Sequence, residues 1–173
     1  MSERRVPVLY LDIDGTVRWG KDELGRFVNC AADVRVFDGV PDLLARYKAA
    51  GWRIVGISNQ GGIALGQVTL RDVAEAMWAT QSGCRDAFDK ISFCAHHPDA
   101  KDPEMAVCWC RKPRAGLVIE TALNMAAENS GREIYPPHLA LFVGDRPEDE
   151  GCAQAANIRF MKADEWRAGA HQP

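Results

Sequence analysis

The sequence predicts an α/β fold, a mostly parallel sheet with helices on both faces. Short apolar runs of strand length alternate along the chain with longer stretches of helical period, the pattern of a sheet crossed over by helices. Three of the apolar runs end abruptly in polar residues: Asp12 and Asp14, Ser58 and Asn59, and Asp145. Parallel strands would bring these ends to one edge, the edge at which open α/β sheets bind ligands. No repeat, low-complexity tract or linker interrupts the 173 residues, a length that suits one domain over 1–173 with a sizeable core.

The elements follow in order. The run 6–13 is apolar, closes in Asp-Gly, and reads as a buried first strand. Residues 17–30 have mixed charge and no period; they read either as a small flap over the strand's carboxyl edge or as a plain surface loop. Residues 41–50 read as a helix, with Pro41 in the first turn, Leu43, Leu44 and Tyr47 at helical spacing, and Gly51 as the stop. A second buried strand, 52–57, runs into Ser58 and Asn59. The next helix spans about 69–81, with Thr69 as N-cap and Val73, Met77 and Trp78 on one face. A third strand, 89–93, leads into an irregular segment, 94–110, which is long for a compact domain unless something ties it down. A long helix over 114–130 shares Leu117, Val118, Thr121, Ala122 and Met125 on a face and stops at Gly131. The chain closes with a strand at 139–143, a helix at 148–156, a strand at 158–161, and a polar tail after Lys162 expected to be only partly ordered.

Hydrophobic residues make up 47% and charged residues 26%, the balance of a globular protein. A net charge of −3 argues against bulk electrostatic attraction to nucleic acid, though a local basic pocket remains open. No apolar stretch is long enough to span a bilayer, and Asp12 and Asp14 break the one run that follows Arg4 and Arg5, so no membrane partner and a cytoplasmic protein are expected. A monomer is the expected state.

The carboxylates at the strand ends suit phosphate-ester chemistry. A carboxylate can attack as a nucleophile, several can hold Mg²⁺, and a hydroxyl, backbone N–H groups and Lys112 can neutralise phosphoryl oxygens. Asp12 to Thr16 taken alone also suits an ordinary Asx turn. Six cysteines accompany no secretion signal, and three of them, Cys94, Cys108 and Cys110, fall in one window with His96 and His97. Three thiolates and an imidazole make a structural Zn²⁺ set that would staple the irregular loop 94–110. His96 is the preferred imidazole, with His97 as the alternative; unrelated free cysteines are the bland reading.

The order Asp12-Ile-Asp14-Gly-Thr, a strand ending in Ser58-Asn59, then Lys112, then Gly144-Asp145-x-x-x-Asp149 resembles the haloacid dehalogenase (HAD) superfamily over about residues 6–160. The resemblance implies a Rossmann-like fold with no large cap domain and a Mg²⁺-dependent phosphomonoesterase. Asp12 would be the nucleophile and Asp14 the general acid and then base. Ser58 and the backbone of Asn59 would bind phosphate, and Lys112 would balance the aspartyl-phosphate. Asp12, Asp145 and Asp14 through its carbonyl would hold Mg²⁺. Asp149 would support the metal or Lys112, or serve only as an acid in the first turn of a helix. Cys94-Ala-His-His-Pro98 with Cys108-Trp-Cys-Arg-Lys-Pro113, and Ser58-Asn-Gln-Gly-Gly-Ile-Ala64, are similar to the zinc-containing HAD phosphatases, the heptose 1,7-bisphosphate and histidinol-phosphate enzymes. That similarity implies Arg111 and Lys112 at the substrate phosphate and a small phosphorylated metabolite as partner. Ile13 and Leu65 stand where that subfamily carries arginine. Asp-hydrophobic-Asp-Gly-Thr also resembles the phosphatase domains of polynucleotide kinase-phosphatases, whose partner is a nucleic-acid 3′-phosphate.

Overall fold

In the computed structural model, which describes residues 3–21, 25 and 27–173, the sheet forms around the apolar run near the N-terminus. Arg4–Arg5 (β1) pairs with Glu133–Ile134 (β5) in a small parallel ladder. The main sheet holds Val8–Leu11 (β2), Arg53–Asn59 (β3), Lys90–Cys94 (β4), Leu141–Gly144 (β6) and Arg159–Lys162 (β7), in the order β4-β3-β2-β6-β7, every pair parallel.

The helices Val40–Ala49 (α1), Leu70–Gly83 (α2), Pro103–Ala106 (α3), Gly116–Glu128 (α4), Pro147–Ala155 (α5) and Ala163–Arg167 (α6) fill the connections. β2 is apolar at every position because it is buried on both faces. Leu9 and Leu11 join Leu44, Val73, Met77 and Trp166 on the face covered by α1, α2 and α6. Val8 and Tyr10 join Leu117, Met125 and Ala153 on the face covered by α4 and α5. The chain runs outward from β2 to β3 and β4, then returns to place β6 on the other side of β2. The switch in direction opens a crevice between the ends of β2 and β6, where Asp12 and Asp145 stand.

The strands and helices fall close to their expected places, with four corrections. The expected strand 6–13 is shorter, because Pro7 separates β1 from β2 and the chain turns at Asp12. Trp78 is 81% exposed: Val73, Ala76, Met77 and Thr80 form the buried face of α2, and the residue after Met77 is rotated about 100° away. The segment 94–110 is not wholly irregular, since Cys94 ends β4 and α3 forms one turn capped by Asp102. The tail after Lys162 is ordered: α6 buries Trp166 fully, and Trp166 Nε1 donates to the Tyr47 hydroxyl at 3.2 Å. A lone tryptophan in a polar stretch gives no period to read. The flap expected at 17–30 includes 22–24 and 26, which lie outside the described residues.

Candidate active site

Register explains the site. Leu11 is level with Gly56 on one side and Val143 on the other, so Asp12, Ser58 and Asp145 emerge together at the carboxyl edge. The turn after Asp12 depends on Gly15, which has φ +99° and sits where a Cβ would strike the Asp145 carboxylate. Gly144 is similarly forced, since a Cβ there would strike Asp149.

Lys112 is the centre of charge. Buried to 4% exposure, it donates to Asp12 Oδ1 at 2.5 Å and to the Ile57 carbonyl at 2.9 Å, and pairs with Asp149 Oδ1 at 2.7 Å. All three ammonium protons are used. Burial pulls its pKa down, but Asp12 and Asp149 outweigh this and hold it above the ordinary lysine value. The Asp12 carboxyl is pushed up, chiefly by burial and further by Asp149 and Asp14, against the opposing pull of Lys112. Asp145 is also raised, by burial first and by Asp149 next.

Carboxylate oxygens of Asp12, Asp145 and Asp149 lie within 4.8 Å of one another. Three carboxylates against one ammonium leave a site with excess negative charge and oxygen donors, a set that fits Mg²⁺. Asp149 has little left to give, because its Oδ2 accepts the N–H of Asp145 and Arg146 at 3.1 and 3.0 Å while Oδ1 faces Lys112. Asp12 and Asp145 are therefore the available carboxylates, and Asp149 supports Lys112 from the first turn of α5.

Asp14 stands apart from that cluster. Its Oδ1 accepts from Arg18 Nε at 2.8 Å and its Oδ2 from Gln60 Nε2 at 2.7 Å. Gln60 Nε2 also donates to Ser58 Oγ at 2.8 Å, and Ser58 is buried. Asn59 does not offer its side chain to a ligand: its amide pairs with the backbone of Lys112, accepting from N at 3.0 Å and donating to O at 3.1 Å. The side chain thus orients Lys112, and the expected phosphate contact of Asn59 is one for its backbone. Arg111 is half-buried, with Nη1 on the His96 carbonyl at 3.0 Å.

Cys94, His96, Cys108 and Cys110 also come together. The Cys94 sulfur lies 3.3 Å from Cys110 and 3.7 Å from Cys108, and His96 Nδ1 lies 3.6 Å from Cys94 and 3.4 Å from Cys110. These separations are too long for a disulfide. Tetrahedral ligands with metal–sulfur bonds of about 2.3 Å stand roughly 3.7 Å apart, so the set fits Zn²⁺. His97 turns away, its Nδ1 accepting from the Asp99 N–H at 3.1 Å. Burial pushes the thiols of Cys84 and Cys152 up to about 12, which marks them as core residues.

Sequence reasoning gave no role to Arg18, Gln60, Thr16 or Arg167. Thr16 Oγ1 donates to Asp12 Oδ2 at 3.3 Å, and Arg167 Nη1 donates to the carbonyls of Gly15 and Thr16 at 2.9 Å each. Two had a readable signal: Gln60 directly follows Ser58 and Asn59, and Thr16 closes the Asp-x-Asp-Gly-Thr run.

A nucleophile-capable carboxylate paired with a buried lysine at the switch point of a parallel sheet, with a second acid two residues on, defines an α/β phosphohydrolase site of the HAD type. The comparisons with known proteins agree. The D-glycero-beta-D-manno-heptose-1,7-bisphosphate 7-phosphatase of Yersinia pestis is 35% identical over 162 residues, 88% of this chain and 77% of that protein. The enzyme of the same name from Escherichia coli K12 is 32% identical over 164 residues, covering 90% and 77%. The crystal structure of the D,D-heptose 1,7-bisphosphate phosphatase of B. bronchiseptica, complexed with magnesium and phosphate, superposes with a TM-score of 0.71 at 22% identity, over 97% of this chain and 89% of that one. No protein-family model matches the chain. The chain belongs to the heptose bisphosphate phosphatase family of HAD phosphatases, and is a phosphoric monoester hydrolase.

Proposed function

We propose that this chain, acting as a single-domain monomer in the cytoplasm, hydrolyses a phosphomonoester of a small phosphorylated sugar, with heptose 1,7-bisphosphate as the first candidate. The carrying observation is the buried Asp12–Lys112–Asp149 array beside Asp145, in a chain whose relatives are named for that sugar bisphosphate. Asp12 attacks phosphorus and forms an aspartyl-phosphate, while Asp14 protonates the departing oxygen. Water then attacks, with Asp14 as base, and Asp12 is released. Ser58 and the backbone around Asn59 bind the phosphoryl oxygens, and Arg111 stands at the rim toward the rest of the substrate. Lys112 steadies the charge of Asp12 before attack and of the phosphoryl group after it.

Asp12, Asp145 and the carbonyl of Asp14 would hold Mg²⁺, which offsets the negative charge gathered where phosphate must enter. The thiol and imidazole set would hold Zn²⁺ as a structural staple. Net acidity supports a small metabolite over a nucleic-acid end.

The test is turnover of heptose 1,7-bisphosphate, a 3′-phosphorylated oligonucleotide and an aryl phosphate with Mg²⁺. The wild type should prefer the sugar, and Asp12→Asn should lose activity on all three. Full activity of Asp12→Asn would end the mechanism, and preference for the oligonucleotide would end the substrate assignment.

A further inference from the structure

Arg18 is an unusual residue for a core. Its side chain is 1% exposed, and a buried guanidinium is costly unless it is paired and hydrogen-bonded. Its one carboxylate partner among the described residues is Asp14, reached by Nε at 2.8 Å. The other end of the fork is anchored in α2, where Nη1 donates to the Ala76 carbonyl at 3.1 Å and to Thr80 Oγ1 at 2.8 Å. Thr80 in turn donates to the Ala76 carbonyl at 2.8 Å. The backbone repeats the brace, since Gly15 N donates to Arg18 O at 2.8 Å and Arg18 N to Ile13 O at 3.1 Å. Arg18 thus ties Asp14 to the rigid body of α2 on both sides of the turn.

The tie treats the two oxygens of Asp14 differently. Oδ1 accepts a charged N–H from a guanidinium that has no room to move. Oδ2 accepts a neutral amide N–H from Gln60, which keeps a second acceptor in Ser58 Oγ. Protonating Oδ1 would sacrifice a charge-assisted bond; protonating Oδ2 sacrifices a weaker one.

We propose that Arg18 is a positioning residue that pins Asp14 through Oδ1 and so assigns the transferred proton to Oδ2. The proposal rests on the acid–base role given to Asp14 above. In the first step an Asp12 oxygen bonds to phosphorus, the bond from phosphorus to the leaving oxygen breaks, and the Oδ2 proton passes to that oxygen. In the second, the oxygen of water bonds to phosphorus, the Asp12–phosphorus bond breaks, and a proton of that water returns to Oδ2.

Leaving-group dependence separates positioning from scaffolding. An alkyl leaving group needs the proton, whereas 2,4-dinitrophenolate leaves well without one. Arg18→Met should lower kcat/KM on glycerol phosphate by roughly 100-fold or more, the usual worth of a placed acid. It should lower kcat/KM on 2,4-dinitrophenyl phosphate far less, because kcat/KM reports the first step and leaves out the aspartyl-phosphate hydrolysis that both esters share. Arg18→Lys should recover part of the loss. Equal losses on the two esters would overturn the proposal.

Asp14→Asn is the control for the reading beneath it. If Asp14→Asn also lacks ester selectivity, the acid–base role of Asp14 fails; if Asp14→Asn is selective and Arg18→Met is not, only the role of Arg18 fails. Should Arg18→Met not fold, Thr80→Val loosens the anchor without touching Asp14. It should give a smaller loss with the same selectivity, and an unselective loss or none overturns the proposal.

Discussion

At the scale of single residues, the site is governed by a count of charges. Lys112 separates two buried carboxylates, Asp12 and Asp149, and without it they face each other in a poorly solvated space. Lys112→Met should abolish phosphatase activity and cost about 3–5 kcal/mol, the penalty for stranding buried charge. Urea unfolding measures the cost. Adding Asp149→Asn should restore part of it by removing one of the repelling pair, and strict additivity of the two losses would refute the account. Asp12, Ser58 and Asp145 were legible in the sequence because each closes an apolar run, and Lys112 because it completes their ordered set. Arg18 and Arg167 were not, because their partners are fixed by how loops and helices return in space. Asn59 was legible as a site residue, yet its task of gripping the Lys112 backbone could not be read from a strand end.

At the scale of elements, the loop from the end of β4 to Lys112 carries the clearest dependence on metal. None of residues 95–107 is buried, and the four ligands draw the two ends of that stretch together. Burial raises the Cys94 thiol; in Cys108 burial is outweighed by hydrogen bonds from Arg111 and the neighbouring thiols, which lower it. Zinc would bind all three sulfurs as thiolates, so loading should weaken as pH falls. Chelation or Cys108→Ser should lower the melting temperature by several degrees, with one zinc per chain in the untreated protein by metal analysis. An unchanged melt after verified metal removal would count against a structural zinc. The elements were legible wherever a period persisted: Thr69 caps α2 as read, with Asp72 closing the box at 3.0 Å. Boundaries slipped by one or two residues, as in α2, expected to about 81 and ending at Gly83. α6 escaped notice because its five residues are too few to show a helical period.

At the scale of the whole molecule, the last described residues link the two sides of one core layer. His171 Nδ1 meets the Tyr47 hydroxyl at 2.6 Å, and the ring stands edge-on to Trp52. Burial, followed by the nearby Arg159, lowers its pKa below the ordinary 6.5. The unfolded chain then takes up a proton that the folded one resists, so this contribution to stability is whole above about pH 6.5 and fades as pH falls below it. Wild-type melting temperature should therefore drop faster than that of His171→Gln on acidification from about pH 7 to 5.5, and parallel curves would show that the histidine is uncoupled from folding. The fold class was fully legible, because alternation of strands and helices is a property of the entire chain. Arg167 adds a consequence in time. Its grip on Gly15 and Thr16 joins residues 152 and 151 positions apart. At a synthesis rate of about 5–20 residues per second, the turn beside the nucleophile waits roughly eight to thirty seconds for that guanidinium to be made. A ribosome stalled just after β7 would hold a chain with Asp12, Asp14, Lys112 and Asp145 already in it, and the turn between the first two still unclasped.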